Sequence, residues 1–395
     1  MSESAISVFT NPTLTSLTIP ATRSRTSPQA RVLHVINGEH FSGAERVQQL
    51  LGRQLPTLGI EAHFACLKPG KFAALCGLRE EYVSDVGMRS RFDLSIVSQL
   101  RRIVLERNID ILHAHTPRTA LITSLLALRT GLPWIYHVHS PAARDSTRNT
   151  INRLNHLIER HALRNCHRVV TVSRSLRREM LKVGVPRKRL TVVPNGVPAI
   201  EPIEPAERLS RTHWRIGMVA LMRPRKGVEI ALQAMKLLKQ RKLPLSLELI
   251  GGFETDAYQQ QVLTLLEALD LDDCVQCSGF TSDVPSAIRR LDALLLPSLF
   301  GEGMPMVVLE ALAAAVPVVA TRVEGTPEVI RDGVEGYLAQ PGDANSLADQ
   351  LALLTSSRPA WQAMSERAVA RHRSTFSDQQ MAERIARIYL QLVQR

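Results

Sequence analysis

The chain has 395 residues, too many for one ordinary core and suited to two domains of about 150–200 residues each. With 45% hydrophobic and 22% charged residues its composition is that of a folded globular protein, which excludes a disordered chain. No uninterrupted apolar run reaches the roughly 18 residues that a membrane-spanning helix needs, and the net charge of +12 is concentrated in residues 141–190, where thirteen Lys or Arg face three acids. Such a block suits a polyanion: anionic lipid head groups, nucleic acid or phosphorylated substrates.

Residues 1–30, rich in Ser, Thr and Pro, read as a disordered tail. From residue 31 short β-type runs alternate with amphipathic stretches. VLHVIN (32–37) is followed by helix-like SGAERVQQLLGRQL, then EAHFACL, IDILHAH, PWIYHVH, RVVTV (168–172) and LTVVP (190–194). This order predicts an α/β domain over 31–197, built on a parallel, doubly wound sheet. Residues 198–212 carry three prolines and no periodicity, and read as a linker. The alternation then restarts: WRIGMVAL, a helix from Gly227, LPLSLELIGG, CVQCSGF, LDALLLP, a helix from Pro305 and VPVVAT. That predicts a second such domain over 213–375. Residues 376–395 read as one helix with Met381, Ile385, Ile388, Tyr389 and Leu392 as its apolar stripe, expected to pack back on the first domain.

The five cysteines, Cys66, Cys76, Cys166, Cys274 and Cys277, are an odd and scattered set, expected as reduced thiols and not as a disulfide framework. Cys274 and Cys277 form a single CxxC with no second pair, and two ordinary buried thiols are the expectation. Asp270 and Asp272, two apart beside Asp273, read as a solvated helix end and not as a metal-binding carboxylate pair.

In domains of this plan ligands bind at the carboxyl ends of the strands. PSLFGEGMPMVVLEALAAAVPVVAT (297–321) places a glycine-bearing loop there, followed by a helix with Pro305 suited to its first turn. Free amides at that helix start form an anion site for a diphosphate. Glu302 and Glu310 stand eight positions apart, and carboxylates can accept hydrogen bonds from sugar diols. Without context the same spacing serves a helix-start acid and an exposed surface glutamate.

The stretch EGMPMVVLEALAAAVPVVATRVEGTPEVIRDGVEGYLAQPGD resembles, nearly residue for residue, the donor region of the retaining family 4 glycosyltransferases. The likeness extends more loosely from Val32 to the carboxyl terminus. It implies the GT-B fold, two Rossmann-like doubly wound domains facing across a cleft. It also implies that Glu302 and the backbone of Gly303, Met304, Pro305, Met306 and Val307 hold the donor's sugar and phosphates, while Glu310 binds its ribose. In MVALMRPRKGVEIAL the family's Lys-Gly is matched by Lys226 and Gly227, but its arginine position is Leu221; Arg223 is expected to take over, ahead of Arg225. Gly251, after a strand, would allow a close backbone approach to the nucleotide, although alone it is a turn. The loop at 279–285, where the family contacts the base, does not itself choose between uracil and guanine, and a UDP-sugar is expected ahead of a GDP-sugar.

In the first half, Ser42-Gly43-Ala44-Glu45 is similar to the family's Gly-Gly-x-Glu loop, which would put Gly43 and Glu45 on the acceptor side; Asn-Gly-Glu just before it could simply be a turn. His113/His115 and His137/His139 each share one strand face. Zinc would need a third ligand that the pattern does not offer, so no metal is expected and core histidines are the plain reading. By its likeness to the family, PWIYHVHSP makes His139 the residue bordering the transferred sugar, with His115 near the acceptor. Two arginine clusters follow: Arg153, Arg160 and Arg164, then Arg174, Arg177 and Arg178 with Lys182. They suit a solvated surface or docking on an anionic membrane, where each basic residue adds about 1 kcal/mol. Nucleic acid is not expected, because aromatic stacking platforms are sparse here.

The resemblance therefore implies a retaining, metal-independent hexosyltransferase with a nucleotide-sugar donor and no other cofactor. Its acceptor would be a glycan or lipid-linked molecule of polysaccharide or glycolipid synthesis, met in the cytoplasm or at the inner membrane face. A nucleotide-sugar epimerase, a phosphorylase of the same fold and an inactive sugar-nucleotide-binding homologue are the alternatives.

Overall fold

Runs such as ILHA and WIYHV lack polar alternation at the residue level, the mark of strands covered on both faces. In the computed structural model, which describes residues 28–90, 93–140 and 160–394, both runs are buried strands. The first sheet comprises β1 (Ala30–Ile36), β2 (Ile60–Cys66), β3 (Val83–Asp85), β4 (Ile111–Ala114), β5 (Trp134–Val138), β6 (Arg168–Thr171) and β7 (Leu190–Val192). The strands are parallel and ordered β3-β2-β1-β4-β5-β6-β7. The second contains β8 (Trp214–Val219), β9 (Leu245–Ile250), β10 (Val275–Gly279), β11 (Ala293–Leu296), β12 (Val318–Thr321) and β13 (Gly336–Ala339). These are parallel too, in the order β10-β9-β8-β11-β12-β13.

Each order reverses once, between β1 and β4 in the first sheet and between β8 and β11 in the second. Crossovers leave in opposite directions at such a point, so the loops part there and open a crevice at the strands' carboxyl ends. The loops after β1, β4, β8 and β11 carry Gly43, His115, Lys226 and Glu302. Topology alone thus gathers the residues singled out from the sequence.

The chain crosses between the domains twice. Residues 198–212 are not irregular throughout: they contain the short helix Pro205–Leu209, whose Arg208 is buried and donates to the carbonyls of Ala315 (2.8 Å) and Arg289 (2.6 Å). At the return, Val197 and Ser377 form a parallel bridge, and the helix Asp378–Val393 lies against β1, β4 and the helix Gly43–Gln54 of the first domain. One apolar core runs through the first domain and into the helix Met306–Ala313 of the second.

Cys277 is exposed and Cys274 half-buried, not a pair of buried thiols, because β10 is an edge strand of its sheet. Asp270 and Asp273 both pair with Lys239 at the surface. Among the described residues no helix is long and apolar enough to cross a membrane. Most of the expected N-terminal tail, and Arg153, lie outside the described residues.

Candidate functional site

The helix Met306–Ala313 is buried almost all round, as MVVLEALA requires, and Pro305 stands before its first turn. The amides of Met306 and Val307 open this helix and have no carbonyl four residues back to bond. In the loop before it, Glu302 is only 5% exposed. Its Oε1 accepts from Lys226 Nζ at 2.6 Å and from Ser298 Oγ at 2.7 Å, and the Arg225 guanidinium lies 3.8 Å away. Arg225 also donates to the carbonyls of Phe300 (3.3 Å) and Gly301 (3.4 Å), pinning the loop. The amides of Gly301 and Glu302 converge on the Glu324 carboxylate at 3.0 and 3.2 Å, so this loop already gathers one anion through its backbone.

Arg223 does not join this group. It caps the single turn Pro224–Lys226 and pairs with Glu254 at 3.6 Å, while the turn carries Arg225 and Lys226 to Glu302. Leu221, at the family's arginine position, is exposed. Gly251 adopts φ 134°, and a Cβ there would stand 1.8 Å from the Ala220 carbonyl oxygen. The loops after β8 and β9 are therefore in backbone contact, which no other residue type allows.

Across the cleft, a Cβ on Gly303 would lie 2.1 Å from the His139 carbonyl oxygen, so the Glu302 loop rests directly on the end of β5. Gly43 faces Met306, whose Cγ is 3.6 Å from where a Cβ would stand. Asn195 donates from Nδ2 to the Met304 carbonyl at 3.3 Å. The amides of Arg174 and Ser175 donate to the Glu328 carboxylate at 2.7 and 2.8 Å, a second-domain acid at a first-domain helix start. Glu310 is 2% exposed and forms an ion pair with Arg46 of the helix Gly43–Gln54. Burial pushes its carboxyl up, and Arg46 opposes that. Glu45 is turned back: its Oε2 accepts from the Ser42 amide and hydroxyl at 3.1 and 2.7 Å, capping its own helix.

The histidines form one buried group. His34 on β1 joins the two expected pairs, since His34 stands beside His113 in the β1–β4 register. His34 Nδ1 and His115 Nε2 are 3.0 Å apart, as are His115 Nδ1 and His139 Nε2. Tyr389 of the C-terminal helix places its hydroxyl 2.6 Å from His113 Nδ1 and 3.4 Å from His34 Nε2. Both ring nitrogens of His137, with His113 Nε2 and His139 Nδ1, are buried without a partner among the described residues. Burial holds His34 down at about 3 and His139 at about 4, and it pushes the other three well below 6.5. The third imidazole that the sequence pattern lacked is thus present: ring nitrogens of His34, His113 and His115, and of His115, His137 and His139, lie within 4.8 Å of one another. Both groups are neutral imidazoles, a form able to bind a divalent metal such as zinc.

Of the basic residues, Arg160, Arg164, Arg174 and Arg178 are exposed and Arg177 is half-buried. Sequence reasoning missed Arg46, Ser298, Glu324, Glu328, His34 and Tyr389. His34 was open to discovery as a histidine inside the apolar run VLHVI of its strand; the others act on partners far away in the chain or through loop geometry.

Comparison with known proteins supplies the context. The family model "Glycosyl transferases group 1" matches residues 200–371, and "Glycosyltransferase Family 4" matches residues 41–199. The chain is 23% identical over 368 residues to the Escherichia coli UDP-Gal:alpha-D-GlcNAc-diphosphoundecaprenol alpha-1,3-galactosyltransferase, covering 84% of this chain and 90% of that one. It is 28% identical over 353 residues to the N-acetyl-alpha-D-glucosaminyl L-malate synthase of Bacillus anthracis, covering 86% and 90%. Anabaena HepE, solved with UDP-glucose, superimposes with a TM-score of 0.79 at 19% identity, over 91% of this chain and 99% of that one. The two facing sheets are therefore the GT-B fold.

Proposed function

The chain belongs to glycosyltransferase family 4, and from that premise we propose that it transfers a hexosyl unit, with retention of anomeric configuration, from a UDP-sugar to a lipid-linked glycan acceptor. The observation that carries this reading is the cluster of Glu302, Lys226 and Arg225 beside the open start of the helix Met306–Ala313. Lys226, Arg225 and the amides of Gly303, Met304, Met306 and Val307 stabilise the diphosphate as it departs, the role a metal ion fills elsewhere. Preorganised donors of this kind lower the barrier by a few kcal/mol each. Glu302 orients the sugar and stabilises positive character on its ring. Glu310 exchanges Arg46 for the ribose diol.

In the chemical step the bond from the anomeric carbon to the diphosphate oxygen breaks as the acceptor oxygen bonds on the same face. The acceptor's proton passes to the departing phosphate oxygen. UDP as the donor nucleotide is supported by the named donor of the Escherichia coli relative and by the ligand in HepE. A lipid-linked acceptor is supported by that same relative and by Arg160, Arg164, Arg174, Arg177 and Arg178, which suit docking on the anionic inner face of a membrane.

Labelled UDP- and GDP-sugars with lipid-linked and free acceptors, in buffer containing EDTA, test the reading. Wild-type protein should bind UDP-sugars and form glycosylated product. Glu310→Ala should weaken donor binding about tenfold, close to 1.4 kcal/mol. Glu302→Ala should leave donor affinity within about twofold and lower turnover by roughly a hundredfold. Binding without turnover would make the chain an inactive homologue; epimerised donor with no acceptor consumed would make it an epimerase; normal turnover in both variants would remove the site.

A further inference from the structure

We infer that Glu324 is a positioning residue for the transfer: its carboxylate gathers the amides of Gly301 and Glu302 and so fixes where Glu302 meets the donor sugar. The inference rests on the reading of Glu302 as the residue that orients that sugar.

Among the described residues, five other than glycine adopt positive φ: Asn108, Lys242, Asp270, Ala315 and Glu324. The first four each stand just past the end of a helix, after Ile96–Glu106, Val228–Gln240, Asp256–Ala268 and Met306–Ala313. That is the ordinary place for a left-handed residue, which satisfies the last carbonyls of the helix. Glu324, at φ 31°, stands elsewhere, in the loop between β12 and the short helix Thr326–Val329. A glycine would take this conformation without strain. What the glutamate adds is its side chain, and backbone strain of this kind collects where a site is held in one geometry.

That side chain reaches the loop after β11. Its Oε2 accepts from the Gly301 amide at 3.0 Å and from the Glu302 amide at 3.2 Å. Gly301, at φ 85°, turns these two successive amides toward one point. In return the Gly325 amide donates to the Glu302 carbonyl at 2.9 Å. A Cβ on Gly325 would stand 1.9 Å from the Gly303 carbonyl oxygen, so the two loops touch along their backbones. Both backbone polar groups of Glu302 are thereby held from residues 324 and 325, while its Oε1 is held by Lys226 and Ser298.

The two sets of contacts do different work. Lys226 and Ser298 set the direction of the Glu302 carboxylate; the clasp between the loops sets the point from which it starts. Removing the Glu324 carboxylate frees the second and leaves the first. The amides that open the helix Met306–Ala313 are untouched, so donor binding survives, whereas the transition state, in which Glu302 acts, loses stabilisation.

Hydrogen exchange at the Gly301 amide, followed by NMR on the full chain labelled with nitrogen-15 glycine, tests the clasp, and steady-state kinetics test its consequence. Glu324→Gly removes the carboxylate and suits the backbone, so the fold is kept. Its Gly301 amide should exchange about tenfold faster or more than in the wild type. Its kcat should fall about tenfold or more, with the donor KM changed less than about twofold. Glu324→Gln keeps an oxygen within reach of both amides; exchange should stay near the wild-type rate and kcat within about threefold of it. Unchanged exchange or wild-type kcat in the Gly variant overturns the inference, and so does a Gln variant as slow in turnover as the Gly variant. A raised donor KM at constant kcat overturns it too, because Glu324 would then bind the donor and not position Glu302. If exchange responds as stated but the wild type transfers to no acceptor, the proposed function falls and the clasp between the loops stands.

Discussion

At Gly303 a missing side chain sets how closely the two domains approach. Its Cα faces the His139 carbonyl, and a methyl group placed there would overlap backbone of the other domain, which cannot rotate away. Gly303→Ala should therefore hold the cleft ajar. Turnover is expected to fall about a hundredfold, the usual effect of a misplacement near 1 Å, and small-angle scattering should show a larger radius of gyration. Wild-type turnover would mean the contact is not kept in the working protein. The placement of Glu302 and Gly303 on the loop and Glu310 on the helix after β11 was legible in the sequence, but their joint role there came from the family resemblance, since the spacing alone also suits a helix-start acid and a surface glutamate. The choice between Arg223 and Arg225 was not legible: both flank Pro224, and only the folded turn shows that Arg225 meets Glu302 while Arg223 meets Glu254. Arg46 gave no signal either, since its partner Glu310 belongs to the other domain.

Strands and helices were legible wherever a continuous apolar run or a helical stripe lay between turn residues, which covers the last helix and both sheets except the short edge strands β3 and β13. Failures occurred where context sets the outcome. The helix Pro205–Leu209 is too short for a periodic stripe, and Arg208 is buried because two carbonyls of the second domain await it. Cys277 is exposed because β10 happens to be an edge strand, a matter of strand order and not of local sequence. The helix Arg174–Val183 shows the same division: Leu176, Met180 and Val183 are buried, whereas Arg174 and Arg178 face outward. Replacing Arg160, Arg164, Arg174 and Arg178 by Gln should weaken binding to vesicles containing phosphatidylglycerol about a hundredfold or more at low salt, at about 1 kcal/mol per charge. Cosedimentation equal to wild type, with an unchanged melting temperature, would show that this surface is merely solvated.

For the molecule as a whole, the histidine group ties stability to pH. Five imidazoles are held below their ordinary value of 6.5 by burial, so the unfolded chain takes up protons that the folded chain refuses. Stability is complete above about 6.5 and is lost as pH falls toward 4, by about 1 kcal/mol per histidine over the first pH unit. Glu310, pushed up by burial, acts in the opposite direction, but it is one group against five. The melting temperature should drop by roughly 5–10 °C between pH 7 and 5.5; a flat profile would show that the rings are not buried in neutral form. The Val197–Ser377 bridge has a different consequence. Because the chain returns there to lay its last helix on the first domain, the second domain is in effect an insertion within the first. On the ribosome, the sheet made first waits for this covering helix until the whole second domain has emerged, while the domain made later can close before it. Order of synthesis and order of completion are reversed.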